Sequence, residues 1–515
     1  MGDLIVTALQ RGGDQLAFID GDVEISYRRF GEMLTRLVQA LQARGLRQGD
    51  SIATLSANRP EAFLVSAASH VMGMRVAWIS PVASEDDHAY ILEDAGVVAL
   101  FIDPPNFGER ARRLQARVPG IQQCFGLGAI DWCEDILAAL PHHAPAALRP
   151  QAQAEDDCVL VYTGGTTGRP KGVVHSHRVQ VTMTMLMMGD WDWPRQIRYL
   201  AMSPITHAAG AIIPPVLMRS GTVVMAQGFT AEHFFELVAR HRVTASFLVP
   251  TMVYVLLDHP LLRQSRTESL ELIIYGAAAM SPGRLVEAMQ VFGPVFMQLY
   301  GQSEAPMTIT VLRQADHDPI RHPERLASCG TPMLGASLRL MNDAGEEVPD
   351  GQVGEICLRG PLVTSGYLNN PEETALAFRH GWLYTGDLAR RDAQGYLYIV
   401  DRSKDMIISG GFNVFPREVE DVISRHPGVA AVAVIGVPDE KWGETVTAVV
   451  VCRPNVAVPA AELQSLVKEH KGAVHTPKRV HFVEQLPVTG LGKLDKKALR
   501  AQYHQTHLSP PTGTS

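Results

Sequence analysis

The sequence predicts an α/β protein with a large N-terminal domain of helix-covered sheets, a small antiparallel β subdomain, and a small α+β C-terminal domain. Three observations predict it. From residue 51, short apolar runs alternate with helical periodicity, the pattern of parallel sheets covered by helices. Near residue 335 that texture gives way to hairpin signals. At 515 residues the chain is also long enough for ~2–4 domains.

Taken in order, strands are expected at 51–56, 75–80 and 98–103, with a helix at 61–73. The pattern resumes with strands at 221–226, 245–249, 270–275 and 295–300 and helices at 231–241 and 282–292. The Ala-, His- and Pro-rich stretch 141–150 reads as a connector. Strands at 338–341 and 355–359 flank the turn Asn342-Asp343-Ala344-Gly345, and strands at 381–390 and 395–400 form a second hairpin. A helix at 416–425 has Pro416 in its first turn and Val419, Val422 and Ile423 on one face. Strands at 430–436, 446–452 and 480–483 and a helix at 460–470 complete the last unit. The expected division is 1–400, with a β-rich part at about 335–400, then 401–505, then a disordered tail at 506–515.

Apolar residues make up 46% and charged residues 19%, an ordinary globular balance. The net charge of −8 gives no pull toward nucleic acid. The basic cluster Lys493, Lys496, Lys497 and Arg500 reads as a solvated helix face, Lys493 excepted. The six cysteines show no CxxC pair and no metal-ligand spacing, and Cys158 and Cys357 sit in apolar runs as buried thiols. That usage favours a reducing compartment. The first residues lack a signal peptide's basic and apolar regions. The longest apolar run, 244–257, is broken by Pro250 and falls short of the ~20 residues a membrane span needs. A cytoplasmic protein is expected.

The strongest chemical signal is Thr163-Gly164-Gly165-Thr166-Thr167-Gly168-Arg169-Pro170-Lys171-Gly172, directly after a strand. Glycines free the backbone to aim N–H groups at an anion, threonine hydroxyls add donors, and Lys171 supplies a point charge. A phosphate cradle explains the coincidence; a flexible surface loop does not. It is not a Walker A loop, because Lys171 lies between Pro and Gly.

Four further constellations follow. Tyr300-Gly301-Gln302-Ser303-Glu304 ends a predicted strand, where open α/β sheets bind ligands. Tyr384-Thr385-Gly386-Asp387 offers a carboxylate in a tight turn. Asp401-Arg402-Ser403-Lys404-Asp405 marks a domain junction, and Thr489-Gly490-Leu491-Gly492-Lys493 carries a lysine on a glycine-flanked tip. Each alone is what a structural turn or surface charge also supplies.

Together, in this order, they resemble the adenylate-forming (AMP-binding) superfamily of acyl-CoA synthetases, luciferases and peptide-synthetase adenylation domains, from about Ser26-Tyr27 to Leu499. The resemblance implies an acyl-CoA synthetase for a fatty, alicyclic or aryl acid, using ATP, Mg²⁺ and coenzyme A. It assigns Thr163, Gly164, Gly165, Thr166, Thr167, Gly168 and Lys171 to the ATP phosphates. Ser303 would touch the α-phosphate and Glu304 would bind Mg²⁺. Gln298, Tyr300 and Gly301, with Gly276, Ala277 and Ala278, would surround adenine, and Asp387 and Arg402 would hold the ribose. Lys493 would bridge the substrate carboxylate and the α-phosphate, and Asp401 would be the hinge of a mobile catalytic lid. Thr163, His207, Glu304 and Lys493 form the implied catalytic set.

Gly410 and Gly411 would line a pantetheine tunnel, though paired glycines equally make an ordinary turn; Lys404 could serve that second conformation or be solvated. Departures from the family pattern are Gly164 for Ser, Ser303 for Thr, and Ala277 for Gly, the last expected to narrow the adenine pocket slightly. Amino-acid-activating relatives carry an Asp in the segment corresponding to 203–210. This chain has none there, which argues against an amino acid. His207 matches a position lining the acyl pocket, followed by the small or apolar Ala208, Ala209, Gly210, Ala211, Ile212 and Ile213, which favour an uncharged acyl group. Expected partners are therefore a small carboxylic acid and CoA, with no nucleic acid and no transmembrane segment; a homodimer is left open. The alternatives are a standalone enzyme loading a carrier protein and a non-catalytic AMP-binding module.

Overall fold

The computed structural model describes residues 1–163, 170–335, 337–402, 405–409, 412–439, 442–454, 456–489 and 494–505, with residues 402, 504 and 505 described by backbone alone. Two large sheets form the body. In the seven-stranded sheet, Ser51–Leu55 lies between Arg75–Trp78 and Val97–Ile102, all parallel. Gln123–Gly126 extends one side and Asp157–Thr163 the other, again in parallel. Val97–Ile102 shows why: Ala99, Leu100, Phe101 and Ile102 are all fully buried, so both faces of the strand are covered.

The nine-stranded sheet has a parallel centre in the spatial order Leu16–Asp20, Thr222–Met225, Arg198–Ala201, Ala245–Leu248, Leu272–Tyr275, Phe296–Gln302. Its edges are antiparallel, with Val23–Ser26 at one end and Ala305–Leu312 toward the other. The alternation from residue 51 onward predicts most of the parallel strands to within two residues but misses Gln123–Gly126 and Arg198–Ala201. It does not predict the antiparallel strands Lys171–Ser176 and Ala305–Leu312, each of which pairs with the strand just before it in sequence. The apolar run at 244–257 divides at Pro250 into a strand and the helix Pro250–Asp258, with proline in its first turn. Among the described residues no helix is long and apolar enough to cross a membrane.

The sheets share one core, in which Phe18, Phe30 and Phe63 make ring contacts at 4.7–6.1 Å. Each such ring contributes roughly 1.5–3 kcal/mol by burial. Ser337–Met341, Val353–Arg359, Phe378–Arg379, Trp382–Arg391 and Leu397–Arg402 build a five-stranded antiparallel sheet. A second five-stranded sheet pairs Val429–Asp439 with Gly443–Cys452, which Arg479–Phe482 joins in parallel. Helices Pro416–Ile423 and Ala460–Lys471 pack on it. This last unit meets the body through Arg417, whose Nη2 donates to the Ala327 carbonyl at 3.3 Å, and Arg453, whose Nη2 donates to Glu287 Oε2 at 3.2 Å.

The solvated basic face expected near the C-terminus is corrected. The helix Lys496–Gln505 packs on the sheet, with Leu499 buried. Lys496 Nζ lies 2.7 Å from Glu420 Oε1, and Arg500 pairs with Asp405. Burial opposes the Lys496 charge, but Glu420, Asp401 and Asp405 outweigh it and raise its pKa. Cys158 and Cys357 are buried free thiols, as their apolar surroundings predict.

Candidate active site

The strand Asp157–Thr163 pairs antiparallel with Lys171–Ser176, from Asp157↔Ser176 at the base to Thr163↔Lys171 at the far end. Thr163 and Lys171 therefore stand opposite each other where the glycine-rich segment begins and ends. Gly164, Gly165, Thr166, Thr167 and Gly168 lie outside the described residues. Lys171 Nζ is 2.7 Å from Glu373 Oε2 and 5.8 Å from the centre of the Tyr367 ring. The Tyr367 hydroxyl in turn donates to Glu304 Oε1 at 2.6 Å. A lysine and a glutamate 133 positions apart in sequence thus share one tyrosine.

Glu304 sits at the tip of a tight hairpin between Phe296–Gln302 and Ala305–Leu312. A Cβ on Gly301 would stand 2.3 Å from the Met307 backbone nitrogen, so only glycine fits that crossing. The hairpin is tied to the phosphate strands by His175, whose Nε2 donates to the Ser303 carbonyl at 2.7 Å. That bond places the ring proton on Nε2, leaving Nδ1 to accept from Gln180 at 2.8 Å.

Gly276, Ala277 and Ala278 follow the strand Leu272–Tyr275, beside Gln298 through the pair Tyr275↔Gln298. Ala277 has φ +65°, in the left-handed region that favours glycine. Beyond the narrower pocket expected of alanine, the backbone here bears a cost of its own. Ala277→Gly is expected to raise the unfolding free energy by about 0.5–1 kcal/mol, the left-handed penalty less glycine's entropy in the unfolded chain; denaturant unfolding checks it.

Behind this strand His317 Nδ1 donates to the Arg313 carbonyl at 2.8 Å, so Nε2 accepts from the Tyr275 hydroxyl at 3.0 Å. Burial pushes the His317 pKa down to about 4. The unfolded imidazole takes its proton near pH 6.5, the folded one only near 4. The stability this difference supplies is complete above pH 6.5 and lost as the pH falls toward 4. Urea unfolding at pH 7 and pH 5 is expected to show a smaller drop in His317→Gln than in the parent.

Asp387 does not sit in a tight turn. It lies within Trp382–Arg391, where the register shifts between Glu355↔Leu388 and Cys357↔Tyr384 and Gly386 takes φ +73°. This irregularity leaves Thr385–Asp387 outside the regular ladder and re-aims the carboxylate, as bulges do. Asp387 is buried, and the buried Tyr300 hydroxyl donates to its Oδ2 at 2.6 Å. Glu355 Oε1 accepts the Gly386 N–H at 2.7 Å and Thr385 Oγ1 accepts the Asp387 N–H at 3.1 Å. Opposite it in register is Arg402, paired as Asp387↔Arg402, preceded by Asp401, whose Oδ2 accepts from the Arg417 N–H at 3.3 Å.

His207 is the residue before the helix Ala208–Met218, where Ala209, Gly210, Ala211, Ile212 and Ile213 are buried. A Cβ on Gly210 would stand 1.7 Å from the Ile205 carbonyl oxygen, which fixes glycine there. Asn58 holds this segment: its Oδ1 accepts the Ile205 N–H at 2.9 Å and its Nδ2 donates to the Ser203 carbonyl at 2.8 Å. A cavity of about 30 Å³ lies behind it, lined by Ile205, Thr206, Gly210 and Ala211 on one side. It has room for at least one water.

Structure therefore brings Thr163, Lys171, Glu304, Tyr300 and Asp387 into linked contacts and sets Gln298, Gly276 and Gly301 on neighbouring strands. Gly410, Gly411, Lys404 and Lys493 lie outside the described residues, as does the Arg402 side chain. Sequence reasoning misses Tyr367, Glu373 and Asn58. For Glu373 a signal exists: Asn370 Oδ1 accepts the Glu373 N–H at 3.1 Å, capping the helix Pro371–Ala377 that presents Glu373. Asn58 carries no local signal, because its partners are 145 and 147 positions away.

A glycine-rich segment between paired strands, a glutamate at the end of a parallel strand and a buried aspartate on the antiparallel sheet are the layout of a nucleotide-using α/β enzyme. The AMP-binding enzyme family model matches residues 6–368, and the model of its C-terminal domain matches residues 418–493. The chain belongs to this family. It is similar to a medium/long-chain-fatty-acid–CoA ligase, FadD8, of Mycobacterium tuberculosis, 45% identical over 98% of this chain and 90% of that one. It also resembles a feruloyl-CoA synthase of an Amycolatopsis species, 35% identical over 94% and 95% of the two chains. The solved amide bond synthetase McbA from Marinactinospora thermotolerans shares the fold at a TM-score of 0.90 and 32% identity, over 98% of this chain and all of that one. The protein is an ATP-dependent acid–thiol ligase of the acyl-CoA synthetase class that works through an acyl-adenylate.

Proposed function

We propose that the chain activates a medium- or long-chain fatty acid and transfers it to coenzyme A. The observation that carries this reading is the segment from Ser203 to Met218. It offers no carboxylate, no lysine or arginine, and a buried run of small and apolar side chains behind His207. The relative with 45% identity acts on medium- and long-chain fatty acids, which supports the same class.

In the first step a carboxylate oxygen attacks the α-phosphorus of ATP and the bond to pyrophosphate breaks. Thr163, Lys171 and the segment 164–168 hold the phosphates, with Ser303 at the α-phosphate. Tyr300, Gln298 and the Gly276-Ala277-Ala278 backbone hold adenine, and Asp387 with Arg402 holds the ribose. Glu304 suits Mg²⁺, because a single carboxylate beside bound phosphates is that ion's usual protein contact. When bound, the ion would neutralise phosphate charge as the pyrophosphate leaves. Lys493 stabilises the charge passing from carboxylate to phosphate. In the second step the CoA sulfur attacks the acyl carbonyl, the acyl–phosphate bond breaks and AMP departs.

Residues 1–400 carry the nucleotide site and 401–505 the lid, which turns about Asp401 between the steps, withdrawing Lys493 and presenting Gly410 and Gly411 to pantetheine. Six free thiols suit the reducing cytoplasm. ATP–pyrophosphate exchange across alkanoic acids of increasing length, with aryl acids alongside, tests the substrate assignment. Exchange is expected to rise into the medium- and long-chain range; strongest exchange with an aryl acid would overturn it.

A further inference from the structure

At the base of the phosphate hairpin lies a cluster that adenylation does not use. His70, Cys158 and His177 are 5%, 0% and 3% exposed. One nitrogen from each imidazole and the Cys158 sulfur lie within 4.8 Å of one another. Cys158 Sγ is 3.1 Å from His70 Nδ1, and the two rings meet edge to face with centroids 6.0 Å apart. The Met1 amino group is 3.3 Å from His177 Nδ1, while His177 Nε2 is buried without a partner. A buried nitrogen left unsatisfied is destabilising, so a Cys–His hydrogen bond alone is an incomplete account of the cluster.

We propose that His70, Cys158 and His177 bind one soft d¹⁰ metal ion, Zn²⁺ or Cu⁺, per chain. Two imidazoles and a thiolate are the donors such ions select over Mg²⁺ or Ca²⁺. Charge supports the pairing: the thiolate neutralises a monovalent ion outright and halves the charge of a divalent one.

The topology gives the site a consequence. Cys158 is the second residue of Asp157–Thr163, His177 directly follows Lys171–Ser176, and His70 lies on the helix Pro60–Met72. A bound ion would clamp both ends of the phosphate hairpin to each other and to that helix.

The test uses the purified full-length chain, stripped with a chelator and dialysed against Zn²⁺, or in a separate reducing arm against Cu⁺. Elemental analysis is expected to find one ion per chain in one of the arms, with thermal unfolding shifted upward. Cys158→Ser and His70→Gln are expected to weaken binding beyond the roughly 10–100-fold that loss of an outer hydrogen-bonding partner costs. Cys124→Ser, a buried thiol elsewhere, is expected to bind as the parent does. Binding of neither ion to the parent, or unchanged binding by Cys158→Ser, would overturn the proposal. If Cys158→Ser does not fold, X-ray absorption on the loaded parent decides: a nitrogen-and-sulfur shell supports the site, and a shell without sulfur overturns it.

Discussion

Lys493→Ala is expected to abolish adenylate formation, lowering its rate by about 10²–10³-fold or more, while thioester formation from preformed acyl-adenylate stays within a few-fold of the parent. The first reaction brings a carboxylate up to a triphosphate, and Lys493 is the cation proposed to bridge them. The second involves a neutral thioester-forming step for which the proposed lid has turned away. The substitution should leave the domain intact. Val488 and Leu494, on either side of the tip, pair with each other, and Lys496 and Leu499 anchor the following helix. Single-turnover assays of each half-reaction separate the outcomes. Equal loss in both would contradict domain alternation and leave Lys493 a general phosphate contact.

Asp387→Ala is expected to raise KM for ATP by about 10–100-fold, the loss of charged hydrogen bonds of roughly 1.5–3 kcal/mol. Two effects combine. The ribose hydroxyls lose their acceptor, and the Tyr300 hydroxyl, now donating at 2.6 Å to Asp387, loses its partner in a buried setting. Tyr300→Phe separates them, because it removes the donor and leaves the carboxylate. A smaller KM change in Tyr300→Phe than in Asp387→Ala supports ribose contact; equal changes would mean Asp387 acts only by holding the tyrosine.

How far the molecule was legible depended on whether a feature is local. Strands such as Val97–Ile102 are buried on both faces and announce themselves as apolar runs. The phosphate hairpin was half legible: its first strand and glycines stand out, but the return strand Lys171–Ser176 contains lysine, histidine and serine and resembles a loop. Asp387 was found by its motif and lies in the strand expected at 381–390, but it read as a tight turn because the bulge that aims it depends on pairing with Glu355 and Cys357. Lys496 read as solvated because its partner Glu420 is remote in sequence. Tyr367, which joins Lys171 to Glu304, is visible only once three distant segments meet.

The most direct test of the central claim is product analysis with a medium-chain fatty acid, ATP, Mg²⁺ and a choice of acceptors: CoA, an acyl carrier protein and a simple amine. Acyl-CoA is expected to form in equal amounts with AMP and pyrophosphate, and faster than either other product. An acyl-carrier or amide product that outpaces the CoA thioester, or no pyrophosphate with any acid, would contradict it.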